Sequence, residues 1–262
     1  MLVRDAGDRW QLVLQTDHGE LAGQFARAWR PQPDRTRSLD VLATRHDDGW
    51  AVWERGPGLD AEGRPCNYLD VKIESHIAFY RAAITAVAEQ DRYAGLLLSM
   101  HGTGIYQQRY GLQPSLVMSL AGEARELVDR FVAEEEDSQR QLAAELGVSD
   151  DERWYGYRLL QAWDRISLWA SLNDLDERAD PDSQPYSTIQ AVPFDGREVT
   201  LRIGSLGGRR ASVEPFPFGS APVTFSLPRR LLTKRAWADA DEFRADFDAA
   251  EVEPMTFTLE PA

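Results

Sequence analysis

Apolar residues recur at helical spacing from residue 17 to residue 175. Ile73, Ile77 and Ile84 fall on one face of a 3.6-residue period, and this pattern predicts a helix over residues 72–90. The same periodicity predicts five more helices, over residues 17–29, 39–48, 92–101, 115–146 and 152–175. Such a succession of amphipathic helices is typical of an all-α body.

The pattern changes after residue 180. Residues 180–194 are rich in Pro, Ser and Asp, which predicts a linker. Short β-like segments follow at residues 198–203, 211–214, 223–227 and 255–259, with one helix near residues 237–250. Near the N-terminus, a turn at residues 5–8 separates two short apolar runs and predicts a hairpin.

Together these elements predict a mainly α fold, a helical bundle with a small C-terminal α+β cap. The helical domain is expected to span residues 1–178. The cap is expected to span residues 195–262 and to pack on that domain. In this interpretation the N-terminal hairpin is available to join the sheet of the cap.

Composition narrows the range of partners. The chain has 262 residues, 43% of them hydrophobic, which predicts a globular protein. Its net charge of −14 argues against binding to nucleic acid or to anionic lipid. No apolar run approaches the roughly 18 residues of a membrane span, and no signal-peptide pattern opens the sequence. Cys66 is the only cysteine, so no internal disulfide can form and a cytoplasmic location is expected.

The four histidines of the chain carry most of its candidate chemistry. His18, His76 and His101 each share a helical stripe with apolar residues, so each imidazole is expected to point toward the core. Asp164 lies on a similar stripe in the last helix of the body. Because a buried imidazole or carboxylate needs a hydrogen-bonding partner or a metal ion, these positions predict a buried metal site.

His46 and Asp47 are adjacent where the second predicted helix ends, and from a helix end both side chains can reach one space. The full candidate ligand set has six members: His18, His46, Asp47, His76, His101 and Asp164. Imidazoles and carboxylates suit divalent transition metals, Fe or Mn first, with Zn, Co and Ni as alternatives. A set of this size can hold two ions, with Asp47 as the bridge. The alternatives are a buried polar network without metal and, for His76, a hydrogen-bonded or substrate-contacting histidine.

These six residues follow one another as His, His-Asp, His, His and Asp, and this order resembles the HD-domain superfamily, in particular its six-ligand dinuclear members. The segment 42–47 is similar to the family's signature at a helix end, and residues 162–168 are similar to its final helix. His76 and His101 match the two extra histidines of the dinuclear members. The resemblance covers about residues 12–176. It implies an HD-domain-like helical bundle around two metal ions held by the six residues.

The whole chain also resembles a prokaryotic family of proteins of unknown function. The segments that carry this resemblance are Asp17-His18, residues 46–50, residues 99–104 and residues 213–218. This second resemblance implies no activity.

The HD-domain resemblance implies a metal-dependent phosphohydrolase or phosphodiesterase, in which metal ions activate water and polarise the phosphoryl group. Asp47 or Asp48 would orient that water. Four basic residues are candidate contacts to a small anionic substrate: Arg45, Lys72, Arg109 and Arg165.

Two other functions stay open at this point. The six-ligand branch of the superfamily includes di-iron oxygenases, and the ligand set does not separate them from hydrolases. The chain could also be a non-catalytic metal-binding module whose β cap mediates assembly.

Overall fold

The computed structural model describes residues 1–107, 109 and 120–262. The α-helices of this part of the chain are α1 (Gln15–Ala28), α2 (Thr36–Arg45), α3 (Ala51–Glu54), α4 (Ile73–Gln90), α5 (Arg92–Tyr106), α6 (Gly122–Leu146), α7 (Asp150–Leu172) and α8 (Ala240–Ala249). Short 3-10 helices occur at Asp48–Trp50, Tyr68–Asp70 and Pro181–Ser183. None of these helices is both long enough and apolar enough to cross a membrane. The start predicted for the long helix at residue 115 lies outside the described residues.

Helix boundaries follow local sequence signals. Ser149 begins α7 through a capping box with Glu152. Asp91 separates α4 from α5, and its carboxylate accepts a hydrogen bond from the backbone N–H of Ala94. Gly147 ends α6 in the left-handed conformation with a φ of 64°, as predicted from the sequence.

The two glycines after His101 do not end their helix, although the sequence predicted an end there. α5 continues past Gly102 and Gly104, and both serve close packing. A Cβ atom on Gly102 would lie 3.1 Å from the ring of Tyr80, and one on Gly104 would lie 2.0 Å from the hydroxyl oxygen of Tyr157. These glycines therefore let neighbouring helices approach α5.

Seven strands of the described chain form one mixed sheet in the order β1-β2-β6-β7-β5-β4-β3. The strands are β1 (Leu2–Ala6), β2 (Arg9–Val13), β3 (Thr188–Phe194), β4 (Arg197–Gly207), β5 (Arg210–Glu214), β6 (Val223–Thr233) and β7 (Glu253–Pro261). β5 and β7 run parallel, and the other neighbouring pairs are antiparallel. The N-terminal hairpin belongs to this sheet because β2 pairs with β6.

This sheet makes the prediction of a mainly α bundle with a small cap wrong. The protein is 51% helical and 23% strand, and the seven strands curl into a half-barrel. Two features hid the sheet from the sequence pattern. The segment predicted as a linker contains β3. β6 is 11 residues long although Pro228 stands inside it, and a proline normally argues against a strand interior.

Most of the helices share one large apolar core with the sheet, and α8 packs in a second, smaller cluster against β2 and β6. Trp29, the residue after α1, lies edge-on to Trp163 of α7, with ring centroids 6.0 Å apart. Trp29 also lies edge-on to Phe218, just before β6, at 5.8 Å. The large core contains residues of both predicted domains, 1–178 and 195–262. The division of the chain into these two domains stays a prediction.

Gln11 ties the hairpin to the rest of the molecule, and its side chain is fully buried. Its Nε2 donates to the carbonyl oxygen of Ser171 near the end of α7, at 2.8 Å. Its Oε1 accepts from Nη1 of Arg229 in β6, also at 2.8 Å. Because buried polar groups need partners, these bonds fix β2 between α7 and β6.

We expect Gln11→Met to lower the free energy of unfolding by about 2–3 kcal/mol, because it leaves the Ser171 carbonyl and a buried donor of Arg229 without partners. Gln141→Met on the exposed face of α6 is the matched control, and it should change that free energy by less than about 0.5 kcal/mol. Urea unfolding measures both. Equal stability of the two variants would contradict this role of Gln11.

Candidate metal centre

Three imidazoles and two carboxylates meet between the helices. His18 comes from α1, His46 and Asp47 follow the end of α2, His101 comes from α5, and Asp164 comes from α7. Each of these residues is only 1–5% exposed. The helical periodicity that predicted inward-facing positions for His18, His101 and Asp164 therefore corresponds to real burial.

The backbone turn after α2 aims two adjacent side chains at one space. His46 keeps helical angles, with a φ of −60° and a ψ of −26°, whereas Asp47 leaves the helix with a φ of −111° and a ψ of 15°. Gly49 holds this turn against α4. A Cβ atom there would lie 2.0 Å from the carbonyl oxygen of Phe79, so only glycine fits.

Two glycines of α1 bring His18 close to the end of α2. A Cβ atom on Gly19 would lie 2.9 Å from the carbonyl oxygen of Thr44. A Cβ atom on Gly23 would lie 2.1 Å from the hydroxyl oxygen of the same threonine. The glycines therefore permit an approach of the two helices that larger residues would prevent.

The donor atoms are spaced as ligands of one metal ion are spaced. Nε2 of His18 lies 2.9 Å from Oδ1 of Asp164 and 3.8 Å from Oδ2 of Asp47. Nε2 of His46 lies 3.6 Å from each of the same two oxygens, and Nε2 of His101 lies 3.9 Å from Oδ2 of Asp164. Ligands at about 2.1 Å from a common ion lie roughly 3.0–4.2 Å apart, so this set fits a metal.

The donors form two overlapping groups of three, and within each group the donor atoms lie within 4.8 Å of one another. One group is His18, His46 and Asp47, and the other is His46, His101 and Asp164. The two groups share His46. These buried His and Asp groups could hold a metal ion.

Hydrogen bonds at the outer ring nitrogens fix which nitrogen faces the carboxylates. Nδ1 of His46 lies 2.9 Å from the carbonyl oxygen of Ala43, which only accepts, so this nitrogen carries the proton. The hydroxyl of Ser167 donates to the carbonyl oxygen of Asp164, so it must accept from Nδ1 of His18 at 2.7 Å. In the neutral rings both Nε2 atoms therefore present lone pairs to the carboxylates.

This orientation is the one found in metal-binding histidines, whose outer nitrogen donates to a carbonyl or another oxygen. Nε2 of His46 is buried and makes no hydrogen bond within the described residues. A lone pair that faces a carboxylate oxygen is unfavourable unless a cation lies between them. The cation can be a proton or a metal ion, and the five-donor set favours the metal.

The electrostatics of the centre show the same need for a cation. Burial alone would lower the pKa of His46, but the charges of Asp47 and Asp164 outweigh burial and raise this pKa to about 9. Burial raises the pKa of Asp164, but the imidazoles of His18 and His46 hold it well below its usual range. Burial raises the pKa of Asp47. The charges of His46 and His18 thus compensate Asp164 more fully than Asp47, where burial outweighs them.

Tyr80 of α4 is a member of the centre that the sequence did not identify. Its hydroxyl donates to Oδ1 of Asp47 at 3.3 Å and lies 3.3 Å from Nε2 of His101. The sequence placed Tyr80 in the apolar stripe of its helix, where a tyrosine is indistinguishable from a core aromatic. Ser167 was also missed, and its only signal is its position one helical turn after Asp164.

His76 lies beside the five donors but belongs to neither group. Its Nδ1 lies 2.5 Å from the hydroxyl of Tyr106, and its ring stands edge-on to Trp50 and to Tyr80. Burial lowers its pKa to about 4, so the ring is neutral at pH 7. Its role as a sixth ligand stays a prediction.

The other predicted site residues lie outside the donor set. Nε of Arg45 lies 2.6 Å from Oδ2 of Asp48, and each side chain is 34% exposed. Lys72 is exposed and precedes the first residue of α4. Arg109 and Arg165 line a cavity on another face of α7. The roles predicted for these residues in catalysis or substrate binding stay predictions.

We expect His46→Ala to lower metal content by about tenfold or more, because His46 belongs to both donor groups. Mass spectrometric metal analysis of untagged protein loaded with Mn or Fe measures this content. His76→Ala is the matched control and should retain at least one ion per chain. Loss of one of two ions in that variant would support the dinuclear site. Equal metal content in His46→Ala and wild type would exclude this centre.

We expect the free energy of unfolding to depend on pH through Asp17 of α1, whose pKa is raised to about 6 by burial and by the charge of Glu54. Between pH 3.8, the ordinary pKa of an Asp carboxyl, and pH about 6, the folded protein binds more protons than the unfolded chain, so this residue's contribution to stability falls as pH rises. Asp17→Asn should therefore stabilise the protein at pH 8, by about 1 kcal/mol after solvent screening. The gain should vanish toward pH 4. Urea unfolding at both pH values tests this, and a gain independent of pH would contradict it.

Comparison with known proteins places the chain in a family. A family model described as "Protein of unknown function (DUF3891)" matches residues 1–234. The matched region contains β1 to β6, α1 to α7 and every candidate metal donor. No curated protein and no solved structure matches the chain. Because the match covers most of its length, the chain belongs to the DUF3891 family of proteins of unknown function.

Proposed function

We propose that this protein is a metal-dependent hydrolase of phosphate esters with a metal site of the HD-domain type. One observation carries the proposal. The donors His18, His46-Asp47, His101 and Asp164 converge on one buried point, and they follow each other along the chain in the order of HD-domain ligands. The resemblance to that superfamily and the buried donor set support the proposal together.

The five donors would hold the first ion, and His76 would complete a second site in the dinuclear form of the proposal. A set of imidazoles and carboxylates suits Fe or Mn, with Zn, Co and Ni as alternatives. A divalent ion at this centre supplies Lewis acidity toward water and toward a phosphoryl oxygen.

The chain's own residues have separate tasks in this proposal. Oδ1 of Asp47 accepts the Tyr80 hydroxyl, and this bond fixes the orientation of the carboxylate. Asp48 is adjacent to Asp47 and is held by Arg45, so it is our candidate for orienting the attacking water. The burial of the donors keeps bulk water from competing with the substrate.

The proposed substrate is a small anion. A chain of net charge −14 repels anions at long range, so recognition must come from local positive charge. Arg45 and Lys72 remain the proposed contacts to it, whereas Arg109 and Arg165 line a cavity on another face of α7. Arginine is suited to this task because its guanidinium can donate two parallel hydrogen bonds to a phosphate.

We expect the Mn-loaded protein to hydrolyse p-nitrophenyl phosphate or bis(p-nitrophenyl) phosphate, and Asp47→Asn to lower kcat/KM by at least about 100-fold, since it replaces an anionic metal ligand by a neutral amide. Asp40→Asn is the matched control. Asp40 lies on α2, pairs with Arg27 and takes no part in the centre, so that variant should keep wild-type turnover.

Two outcomes would contradict the proposal. Equal turnover by wild type and Asp47→Asn would place the activity elsewhere. Absence of turnover in protein that contains bound Mn or Fe would exclude a phosphoesterase for these substrates. If the same iron-loaded protein showed a mixed-valent EPR signal, the di-iron oxygenase would become the better explanation.

A further inference from the structure

A cavity of about 330 Å³ lies between α7 and β3, apart from the metal centre. Three arginines contribute to its wall: Arg109, Arg158 and Arg165. None of the five metal donors lines it. We propose that this cavity binds a small organic phosphate that carries a planar ring. The proposal does not depend on the proposed function of the metal centre.

One face of α7 builds the cavity. The four residues that α7 contributes are spaced four, three and four positions apart: Trp154, Arg158, Gln161 and Arg165. At 100° per residue this stripe lies about a quarter turn from Asp164. The same helix therefore presents a metal donor on one face and a cationic surface on the next.

Among the residues that the structure describes, the lining is cationic and contains no acidic side chain. Arg109 pairs with Glu136 at 3.3 Å and Arg158 pairs with Glu198, but neither glutamate belongs to this lining. A guanidinium has five N–H donors, so Arg109 and Arg158 each keep donors for a further anion after one such pair. A concentration of arginines is unexpected in a chain with 43 acidic and 29 basic residues.

The opposite wall of the cavity is formed by β3, whose backbone is irregular there. The pairing of β3 with β4 shifts register between Ile189 and Val192. Ala191 within this bulge has a φ of +54°, a left-handed conformation that costs energy for any residue with a Cβ atom. Gln190 and Ala191 both line the cavity. Bulges and strained residues of this kind concentrate at functional sites.

The ring of the proposed ligand is inferred from the neighbouring space. A larger cavity of about 600 Å³ shares Trp154 and Arg158 with the first. Its wall includes the aromatic residues Tyr155 and Phe194 together with the carboxylates of Asp151, Asp195 and Glu198, so it suits an uncharged ring and not the phosphate. Arg109 stacks on the Trp154 ring at 5.3 Å from its centroid. A phosphate among the arginines would therefore place an attached planar group against aromatic side chains.

Phenylphosphonate is a suitable probe because its C–P bond resists phosphoesterase activity. Calorimetric titration of the full-length protein should detect phenylphosphonate binding, weaker binding of inorganic phosphate and none of benzyl alcohol. Arg158→Gln should weaken phenylphosphonate binding by about tenfold or more. Arg153→Gln is the matched control, since Arg153 lies on the same helix, pairs with Asp150 and does not line the cavity. It should bind as wild type does.

Two further measurements distinguish binding in this cavity from binding at the metal centre. Treatment with EDTA and the variant His46→Ala should leave phenylphosphonate binding unchanged. Loss of binding in either would assign the anion to the metal centre and overturn the proposal. Wild-type binding by Arg158→Gln would overturn it as well. If Arg158→Gln does not fold, Arg109→Gln provides the same comparison, because Arg109 lines the same cavity.

Discussion

Two buried carboxylates, those of Asp47 and Asp164, set the main constraint on the helical part of this protein. Their oxygens lie 2.9–3.9 Å from the Nε2 atoms of three histidines, in a region only 1–5% exposed. An ionised carboxylate removed from water is costly unless it is protonated, paired or bound to a cation. Helices α1, α5 and α7 and the end of α2 must therefore pack so that their polar atoms meet around one positive charge.

Much of this centre could be predicted from the sequence because its information is local. A histidine on an apolar helical stripe faces the core whatever the rest of the fold does, so the inward positions of His18, His101 and Asp164 followed from periodicity. The His46–Asp47 pair at a helix end followed from adjacency. Tyr80 and Ser167 could not be found in this way, because each is a common core or helix residue whose role appears only when another helix is placed beside it.

The sheet could not be predicted because its information is not local. β2 pairs with β6, and β5 pairs with β7, across long separations in sequence that leave no periodic pattern. Proline inside β6 and in β3 weakened the only local signals these strands had. The N-terminal hairpin and the start of β6 were both predicted, but residues 230–233 of β6, which pair with β2, lie beyond the predicted segment 223–227. The extent of the sheet was therefore underestimated, and the prediction was a small cap in place of a half-barrel.

The position of β7 in this sheet has a consequence for how the chain acquires its structure. Residues 253–261 form the strand that joins β6 to β5, with three strands on either side of it. During synthesis the ribosome must deliver this segment before the two halves of the half-barrel can connect, although the candidate metal donors have all been synthesised by residue 164. Nascent chains are therefore expected to hold a helical body beside two unjoined sheet edges, and such edges favour association with chaperones or with other chains.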